Sequence, residues 1–312
     1  MNRSNIKIGT RGSKLALWQA NWIKTELRKN IPSLSIKIIV IKTKGDKILD
    51  VPLAKVGGKG LFVKEIEEAL LDGRIDLAVH SMKDMPADLP EDLCIGPVPK
   101  RENPADVLIS KNGFLLSELE PQARIGTSSL RRASQIKHAK PDFIILPLRG
   151  NLDTRIKKLE TGDLDAIVLA AAGVKRLNLE RRITEYLDYD IMLPAVGQGA
   201  LCIEIRKHDL EIEKIVSKLN HPGTRAVVMG ERAFLRTLGG SCQVPVAAYG
   251  ELNKNSFTLR GLVADIDGKI IIKDTITGHK NSSEGLGIKL AQRLLLMGAD
   301  KILEKLKAYE QK

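Results

Sequence analysis

The sequence is poor in aromatic residues and in cysteine, and each shortage excludes a class of protein. Aromatic residues make up 4% of the 312 residues. Few of them stand among basic clusters, so the stacking platforms that bind single-stranded nucleic acid are poorly supported. Three cysteines without a pairing pattern argue against a disulfide scaffold and fit a reducing compartment. The longest nearly uninterrupted apolar run, residues 166–174, is too short to span a bilayer.

Motifs for metals, nucleotides and export are also missing. The five histidines show no His-Glu-x-x-His spacing and the cysteines show no Cys-x-x-Cys spacing, so we expect no protein-bound metal. There is no Walker phosphate loop, zinc finger, basic zipper or RNA-recognition signature. The first residues lead straight into a strand-like segment without an apolar signal region, which predicts a cytoplasmic protein.

Positive charge is in excess. Lys and Arg total 50 against 38 Asp and Glu, which gives a net charge of +12. Nucleic acid, an anionic membrane surface and small acidic ligands are the partners that fit such a charge. Hydrophobic residues make up 43%, enough for well-packed cores, and the length predicts two or three domains.

Strand-like and helical segments alternate from the start of the chain. Residues 6–10 read as a strand, residues 15–27 as a helix and residues 36–40 as a strand, an order that predicts a mostly parallel α/β sheet.

Part of this pattern occurs twice. Residues 8–16 resemble residues 125–133, and residues 73–81 resemble residues 162–170. Two matching pairs in the same order favour two related α/β lobes over chance similarity between α/β units.

Proline- and glycine-rich segments predict where the chain passes between domains. Residues 97–104 lie between the two lobes, and residues 193–199 form a second crossing, after which the strand-like residues 200–205 would return to the first lobe. We therefore expect three parts: an N-terminal lobe of residues 1–99 and 196–217, a central lobe of residues 100–195, and a C-terminal domain of residues 218–312.

Arginine, serine and threonine recur where strands lead into helices. Arg11 and Ser13 follow the first strand, and residues 127–132 (TSSLRR) follow the matching strand of the second lobe. Backbone N–H groups and the positive end of a helix favour anions at such junctions, and arginine adds a planar fork that matches a carboxylate. Simple helix capping by the serines is the alternative. Capping does not need arginines nearby, so we favour an anion site in which capping also occurs.

The same residue types recur at later strand ends. Arg149, Gly150 and Arg155 follow one strand-like stretch, and Arg176 follows another. Exposed surface charge is the alternative interpretation. Recurrence at strand ends, where open α/β sheets bind ligands, counts against it.

Asp84 is a lone carboxylate in the segment HSMKD, residues 80–84, which follows a buried-looking strand. A nearby cation would keep it ionised. An ionised carboxylate accepts an N–H hydrogen bond and stabilises a developing cation. The alternative is an aspartate that orders the turn before Pro86, and the local sequence favours neither.

The three cysteines differ in their surroundings. Cys94 and Cys202 lie inside apolar strand-like runs, where we expect them to fill the core. Cys242 follows a helix-like segment, residues 226–238, and lies in the glycine-flanked loop GGSCQVP. Glycine neighbours let another molecule approach closely. Cys242 is therefore a candidate for covalent attachment or nucleophilic chemistry, and an ordinary loop cysteine is the alternative.

A basic, glycine-rich loop is predicted at residues 46–60. It contains Lys55 and Lys59 beside several glycines. We expect a flexible loop that acts as a lid over a ligand site.

Together these motifs resemble the hydroxymethylbilane synthase (porphobilinogen deaminase) family nearly end to end. Long motifs that occur in one order are specific for a family. The resemblance rests on residues 9–16 (GTRGSKLA), 56–62 (VGGKGLF), 80–84 (HSMKD), 126–132 (GTSSLRR), 148–151 (LRGN), 193–199 (LPAVGQG) and 239–245 (GGSCQVP).

The resemblance implies an α/β fold in which two lobes are like type II periplasmic binding proteins, with mixed, mostly parallel sheets, and the C-terminal domain is a smaller α+β unit. It implies that four porphobilinogens condense head to tail with loss of ammonia, after which water releases hydroxymethylbilane for tetrapyrrole (haem) biosynthesis. It also implies a monomer, and a dipyrromethane cofactor attached through a thioether to Cys242.

The resemblance further implies roles for individual residues. Asp84 would hydrogen-bond pyrrole N–H groups and stabilise the cation formed as ammonia leaves. Because each pyrrole carries an acetate and a propionate, the growing chain is a polyanion, which accounts for the arginines. The residues implied to bind the cofactor are Ser81, Lys83, Thr127, Ser128, Ser129, Arg131, Arg132 and Gly150. The residues implied to bind substrate are Arg11, Ser13, Phe62, Arg149, Arg155, Arg176 and Gln198, where Phe62 either stacks on a ring or packs in the core.

Two other classes of function stay open on the sequence. One is a non-enzymatic anion-binding module, because the two lobes resemble solute receptors. The missing export signal and the Cys242 loop count against it. The other is a nucleic-acid binder, which charge alone suggests and which a steep salt dependence of DNA affinity would support.

Overall fold

The computed structural model describes residues 3–47, 63–239 and 244–310. Cys242, Phe62, Lys55 and Lys59 lie outside the described residues. The described residues divide into two compact units. The first contains residues 3–47, 63–102 and 200–225, and the second contains residues 103–199, 226–239 and 244–310.

Helices and strands alternate along most of the chain, as the sequence predicts. In chain order they are β1 (Asn5–Thr10), α1 (Lys14–Asn30), β2 (Ser35–Val40), α2 (Lys44–Lys47), α3 (Lys64–Leu71), β3 (Leu77–Ser81), β4 (Leu93–Ile95), β5 (Asp106–Ser110), β6 (Arg124–Gly126), α4 (Leu130–Ala139), β7 (Ile144–Leu146), α5 (Leu152–Thr161), β8 (Ala166–Ala170), α6 (Ala171–Arg176), β9 (Glu185–Tyr186), β10 (Leu201–Arg206), α7 (Leu210–Val216), α8 (Pro222–Thr237), β11 (Val246–Asn253), β12 (Ser256–Ala264), β13 (Ile271–His279), α9 (Ser283–Leu294) and α10 (Asp300–Glu310).

The first unit is built on a five-stranded sheet with the order β2-β1-β3-β10-β4. Strand β1 pairs in parallel with β2 and β3, and β10 runs antiparallel to both β3 and β4. The strand after the second predicted crossing therefore returns to the first lobe, as expected. Strands β3 and β10 are nearly continuous buried runs, which is typical of strands covered on both faces.

The second unit contains a sheet with the same arrangement. Its order is β7-β6-β8-β5-β9, with β6 parallel to β7 and β8, and β5 antiparallel to β8 and β9. Strand β6 thus corresponds to β1, and β8 corresponds to β3. The prediction of two related lobes is confirmed at the level of topology.

Two glycines show the same correspondence in packing. Gly9 in β1 lies so close to Ile75 that a Cβ atom at position 9 would collide with that side chain. Gly126 in β6 packs against Leu164 in the same way, because a Cβ atom at position 126 would lie only 2.8 Å from Leu164 Cδ1. In each lobe, therefore, a residue just before β3 or β8 packs directly against the backbone of β1 or β6, and the contact leaves room only for glycine.

The C-terminal part of the second unit has a different architecture. Strands β11, β12 and β13 form an antiparallel sheet, and a buried cluster joins this sheet to α8 and α9 through Phe234, Phe257 and Leu290. Helix α8 ends at Thr237, and Gly239 follows it with a φ of 62°, the left-handed conformation that is common just after a helix end. The α/β class, with two lobes and a smaller α+β C-terminal part, is confirmed.

Candidate functional site

A pocket lies at the carboxyl ends of β1 and β3 in the first unit. Its wall includes Arg11, Ser13, Gln19, His80, Ser81 and Asp84. Parallel strands deliver loop residues to this edge of a sheet, where α/β proteins bind ligands. Three residues predicted to act on substrate, namely Arg11, Ser13 and Asp84, are therefore brought together.

Ser13 caps the helix that forms one side of the pocket. Its Oγ accepts a hydrogen bond from Ala16 N at 3.2 Å, so the capping role is confirmed. Further into α1, the buried Gln19 donates from Nε2 to Ser81 Oγ at 2.8 Å. This bond joins the second turn of α1 to the end of β3.

Asp84 closes a single 3-10 turn, Met82–Asp84, directly after β3. Met82 and Met85 are both buried at 1% exposure and anchor the turn on either side of the carboxylate. Met85 N also donates to Met82 O at 3.2 Å. The turn presents an exposed carboxylate from a rigid support, which suits a group that must meet a bound ligand. Lys83, in the same turn, is half-buried.

Behind this pocket lies a buried acid–base cluster that the sequence did not reveal. His80 Nε2 is 3.0 Å from Glu204 Oε2, and both side chains are almost completely buried. Burial, and secondarily the charge of Glu204, raise the pKa of Glu67 to about 7 against the opposing charge of His80. The signal available in the sequence was a glutamate inside the apolar run ALCIEIR, residues 200–206.

In the second unit, two predicted cofactor-binding arginines share one buried carboxylate. Arg131 Nη1 donates to Asp106 Oδ2 at 2.6 Å and to the carbonyl of Leu193 at 2.8 Å. Arg132 binds Asp106 Oδ1 through Nε at 2.9 Å and through Nη2 at 2.7 Å. Sequence reasoning missed Asp106, which begins β5 and has no exposed surface.

In the ion pairs that Asp106 makes with Arg131 and Arg132, positive charge exceeds negative charge. Two guanidinium groups face one carboxylate, and Arg131 Nε is buried without a hydrogen-bond partner among the described residues. Desolvation lowers the pKa of Arg132, and Asp106 opposes that shift. A cluster with surplus positive charge and an unused donor fits an anionic ligand such as a carboxylate.

The hydroxyl residues before α4 differ from their counterpart before α1. Ser129 occupies the N-cap position but makes no side-chain capping bond, and its N–H donates to Thr127 Oγ1 at 3.2 Å. Ser128 Oγ bonds the backbone of Leu148 in both directions at 3.0 Å. The capping interpretation therefore holds for Ser13 and fails for Ser129.

Gly150 and Arg155 form a tight turn at the start of α5. Gly150 has a φ of 113°, a conformation that strongly favours glycine, and its carbonyl accepts from Arg155 Nε at 2.9 Å. Arg149 precedes this turn and is half-buried. Their substrate and cofactor roles stay predictions.

Gln198 and Arg176 lie deeper than a substrate-contacting role suggests. Gln198 is completely buried, and its Nε2 donates to Pro104 O at 2.7 Å and to Asp106 Oδ1 at 3.1 Å. Arg176 is also buried and donates from Nη2 to Gly199 O at 2.7 Å. Gln198 thus belongs to the network that holds the two arginines, and direct substrate contact stays a prediction.

The cysteines that the structure describes agree with core roles. Cys202 is fully buried in β10, and Cys94 is half-buried against the core of the first unit. Within residues 3–47, 63–239 and 244–310, no three His, Cys, Asp or Glu side chains are arranged to hold a metal ion. No helix in the same ranges is long and apolar enough to cross a bilayer.

Two family models match the chain. The model described as "Porphobilinogen deaminase, dipyromethane cofactor binding domain" matches residues 6–214, and "Porphobilinogen deaminase, C-terminal domain" matches residues 226–296. A porphobilinogen deaminase of Syntrophotalea carbinolica is 53% identical over 303 residues, which are 97% of this chain and 96% of that protein. Another, from Carboxydothermus hydrogenoformans, is 52% identical over 305 residues, 98% of each chain.

Solved structures of solute-binding proteins also align with the chain. A probable extracellular amino-acid-binding protein of Bacillus subtilis has a TM-score of 0.43 at 13% identity, covering 69% of this chain and 89% of that one. An ancestral amino-acid-binding protein has a TM-score of 0.38 at 16% identity, covering 70% and 88%.

Proposed function

Because the chain belongs to the porphobilinogen deaminase family, a family of transferases in tetrapyrrole biosynthesis, we propose how its residues carry out the reaction. Porphobilinogen units are condensed stepwise with loss of ammonia, and water releases hydroxymethylbilane. The observation that supports the site assignment best is the pocket that brings Arg11, Ser13 and Asp84 together at the carboxyl ends of β1 and β3.

Asp84 acts on the charge that develops when ammonia leaves. Loss of ammonia spreads positive charge over a pyrrole ring, and a fixed carboxylate beside the ring N–H stabilises that charge more than it stabilises neutral substrate. The buried methionines on both sides of the turn hold the carboxylate in place before substrate arrives. Arg11 and Ser13 bind the acetate or propionate groups of the same substrate.

The residues of the second unit fit an anionic cofactor. Bound dipyrromethane supplies the primer ring to which the first substrate unit is added. Arg131 and Arg132 bind its carboxylates with the charge that Asp106 leaves uncompensated, and Ser129 offers a hydroxyl without a capping bond. Cys242 forms the thioether attachment. Other cofactor-binding residues are Ser81, Lys83, Thr127, Ser128 and Gly150, and other substrate-binding residues are Phe62, Arg149, Arg155, Arg176 and Gln198.

Intact-protein mass spectrometry tests the attachment. Protein produced with porphobilinogen available should exceed its sequence mass by two substrate units less two ammonias. Cys242→Ser should lack the excess, whereas Cys94→Ser and Cys202→Ser, matched changes at the core cysteines, should retain it. A wild-type protein of unmodified mass would contradict the proposal.

Two substitutions separate the charge of Asp84 from its position. Asp84→Asn removes the charge and should leave a folded, nearly inactive protein, whereas Asp84→Glu moves the charge by one methylene and should keep residual activity. Preformed tetrapyrrole product is supplied so that both carry cofactor. Circular dichroism and intact mass establish folding and loading. Near-normal turnover by loaded Asp84→Asn would reduce Asp84 to a turn residue.

The proposal extends to location and assembly. We place the protein in the cytoplasm as a monomer of three domains, residues 1–99 with 196–217, residues 100–195 and residues 218–312. Lys55 and Lys59 lie in a loop that closes over the ligand. Light scattering tests the monomer, cell fractionation tests the location, and limited proteolysis tests the boundaries and the loop.

A further inference from the structure

The cluster of His80, Glu204 and Glu67 has no role in the steps above. Glu204 is 0% exposed, His80 5% and Glu67 8%. Carboxylates are rarely buried unless they are fully paired, yet Glu204 Oε1 and Glu67 Oε1 have no hydrogen-bond partner among the described residues. An arrangement this unfavourable for stability, placed at the wall of the reaction pocket, points to chemistry.

Rigid elements fix the geometry of the cluster. In the pairing of β3 with β10, His80 lies opposite Cys202 and Ala78 lies opposite Glu204, so His80 and Glu204 are diagonal neighbours on one face of the sheet. Helix α3, which carries Glu67, covers this face through contacts of its apolar residues with Ala78. Glu204 Oε2 engages Nε2 of the imidazole at 3.0 Å and so orients the ring, as the third group does in acid–base sites.

The proposed function requires a base in this pocket. In each condensation a C–C bond forms between the aminomethyl carbon of the incoming unit and the free α-carbon of the growing chain. The C–N bond breaks, and ammonia leaves with the bonding electron pair. The α-carbon then loses its proton, which restores the aromatic ring. One proton must therefore be accepted for every unit added.

We propose that His80, oriented by Glu204, accepts this proton at Nδ1, and that Glu204 and Glu67 stabilise the resulting imidazolium. His80 and Asp84 line the same pocket, so a ring bound in that pocket would lie beside both side chains. Asp84 stabilises the cation that precedes bond formation, and His80 removes the proton that follows it. The inference rests on the proposed function, since the base is needed only if this condensation takes place.

The test uses porphobilinogen deuterated at its free α-carbon and the variant His80→Gln, which retains an N–H donor for Glu204. Each added unit carries its deuterium until the next unit is attached to the same α-carbon. Loss of deuterium can therefore be followed by intact mass in single-turnover experiments, beginning with the second addition. We expect the variant to load cofactor normally and to condense roughly 10²- to 10³-fold more slowly, as for loss of a general base. A deuterium isotope effect should appear in the variant because proton removal becomes rate-limiting.

A second measurement does not depend on turnover. In protein labelled with ¹⁵N-histidine, Glu204→Gln should shift the His80 ring nitrogen signals towards a mixture of tautomers. Asp76→Asn is the matched control, because Asp76 is another buried carboxylate of the first unit, bound by Arg3 at 2.7 Å. This control should lose stability and show neither the isotope effect nor the His80 signal change.

The outcomes separate the two levels of the proposal. Unmodified wild-type mass would overturn the proposed function itself, whereas an active Asp84→Asn would remove only the role assigned to Asp84. If those tests succeed and His80→Gln condenses within twofold of wild type without an isotope effect, His80 is not the base. A rate loss without an isotope effect, equal to that of Asp76→Asn, would also refute the role. If His80→Gln does not fold, the rate and isotope effect of Glu204→Gln decide in the same way.

Discussion

Replacing Glu67 by glutamine should make the protein more stable above neutral pH and should change the shape of its pH–stability curve. The structure buries this carboxyl group at 8% exposure. Desolvation, and secondarily the charge of Glu204, raise its pKa from an ordinary 4.5 to about 7. The folded protein therefore binds the Glu67 proton more tightly than the unfolded chain does.

The sign and size follow from linkage between proton binding and folding. Because the folded pKa is the higher one, the contribution of Glu67 to the free energy of unfolding is greatest below pH 4.5, falls as the pH rises to about 7, and is then constant. A difference between 4.5 and about 7 corresponds to a loss of about 3 kcal/mol over that range. Glu67→Gln lacks the titrating group, so this loss should be absent from its curve.

Tryptophan fluorescence provides the assay, since both tryptophans, Trp18 and Trp22, lie in α1 of the first unit. Urea unfolding at several pH values between 5 and 8 should show the variant gaining roughly 2 to 3 kcal/mol on wild type across that range. Glu91→Gln is the control, because Glu91 is an exposed carboxylate of the first unit and is not among the charges that act on Glu67, so its curve should parallel that of wild type.

Parallel curves for wild type and Glu67→Gln would refute the reasoning. That result would mean that Glu67 titrates normally in the folded protein and that its burial does not penalise the charge. If Glu67→Gln were less stable than wild type at every pH, the reasoning would also be refuted, because the ionised carboxylate would then stabilise the fold.

Three further predictions concern the second unit. Asp106→Asn leaves two buried guanidinium groups without their counter-charge, so urea unfolding should show a loss of about 3 to 5 kcal/mol, and intact mass should show poor cofactor loading. Arg149→Leu should retain the cofactor mass but stall during elongation, whereas Arg131→Leu should give apo-protein; normal elongation by both would remove these roles. Gly287→Ala places a Cβ against the carbonyl of Gly230 where α8 and α9 touch, so thermal unfolding should show a loss of about 1 to 3 kcal/mol.

The sequence by itself determined the class of fold and the family. Periodicity is a local property, so residues 6–10 and 15–27 could be assigned to a strand and a helix that the structure contains as β1 and α1. Two pairs of similar segments in the same order, residues 8–16 with 125–133 and residues 73–81 with 162–170, predicted two related lobes. Long motifs in a fixed order identified the family, because the motifs and their order can be read from the sequence without knowing any contact in the fold.

The sequence also brought out the residues that face the pocket. Arg11, Ser13 and Asp84 were singled out because arginine, hydroxyl and carboxylate groups recur at strand ends, where open α/β sheets bind ligands, although capping and turn formation were the alternatives for Ser13 and Asp84. For Ser13 the structure added a capping bond, which the local sequence had allowed. The role of Asp84 in chemistry was not decided by either source and depends on the substitutions proposed above.

Only the tertiary structure decided which buried groups pair. Asp106 is 25 residues from Arg131, and Glu204 is 124 residues from His80, so no local pattern connects them. Sheet register and the helix that covers each face fix such pairs. The structure also showed Gln198 to be completely buried beside Asp106. Burial and partner choice depend on the whole packed chain, and they set the charge balance and the pKa values on which the chemistry rests.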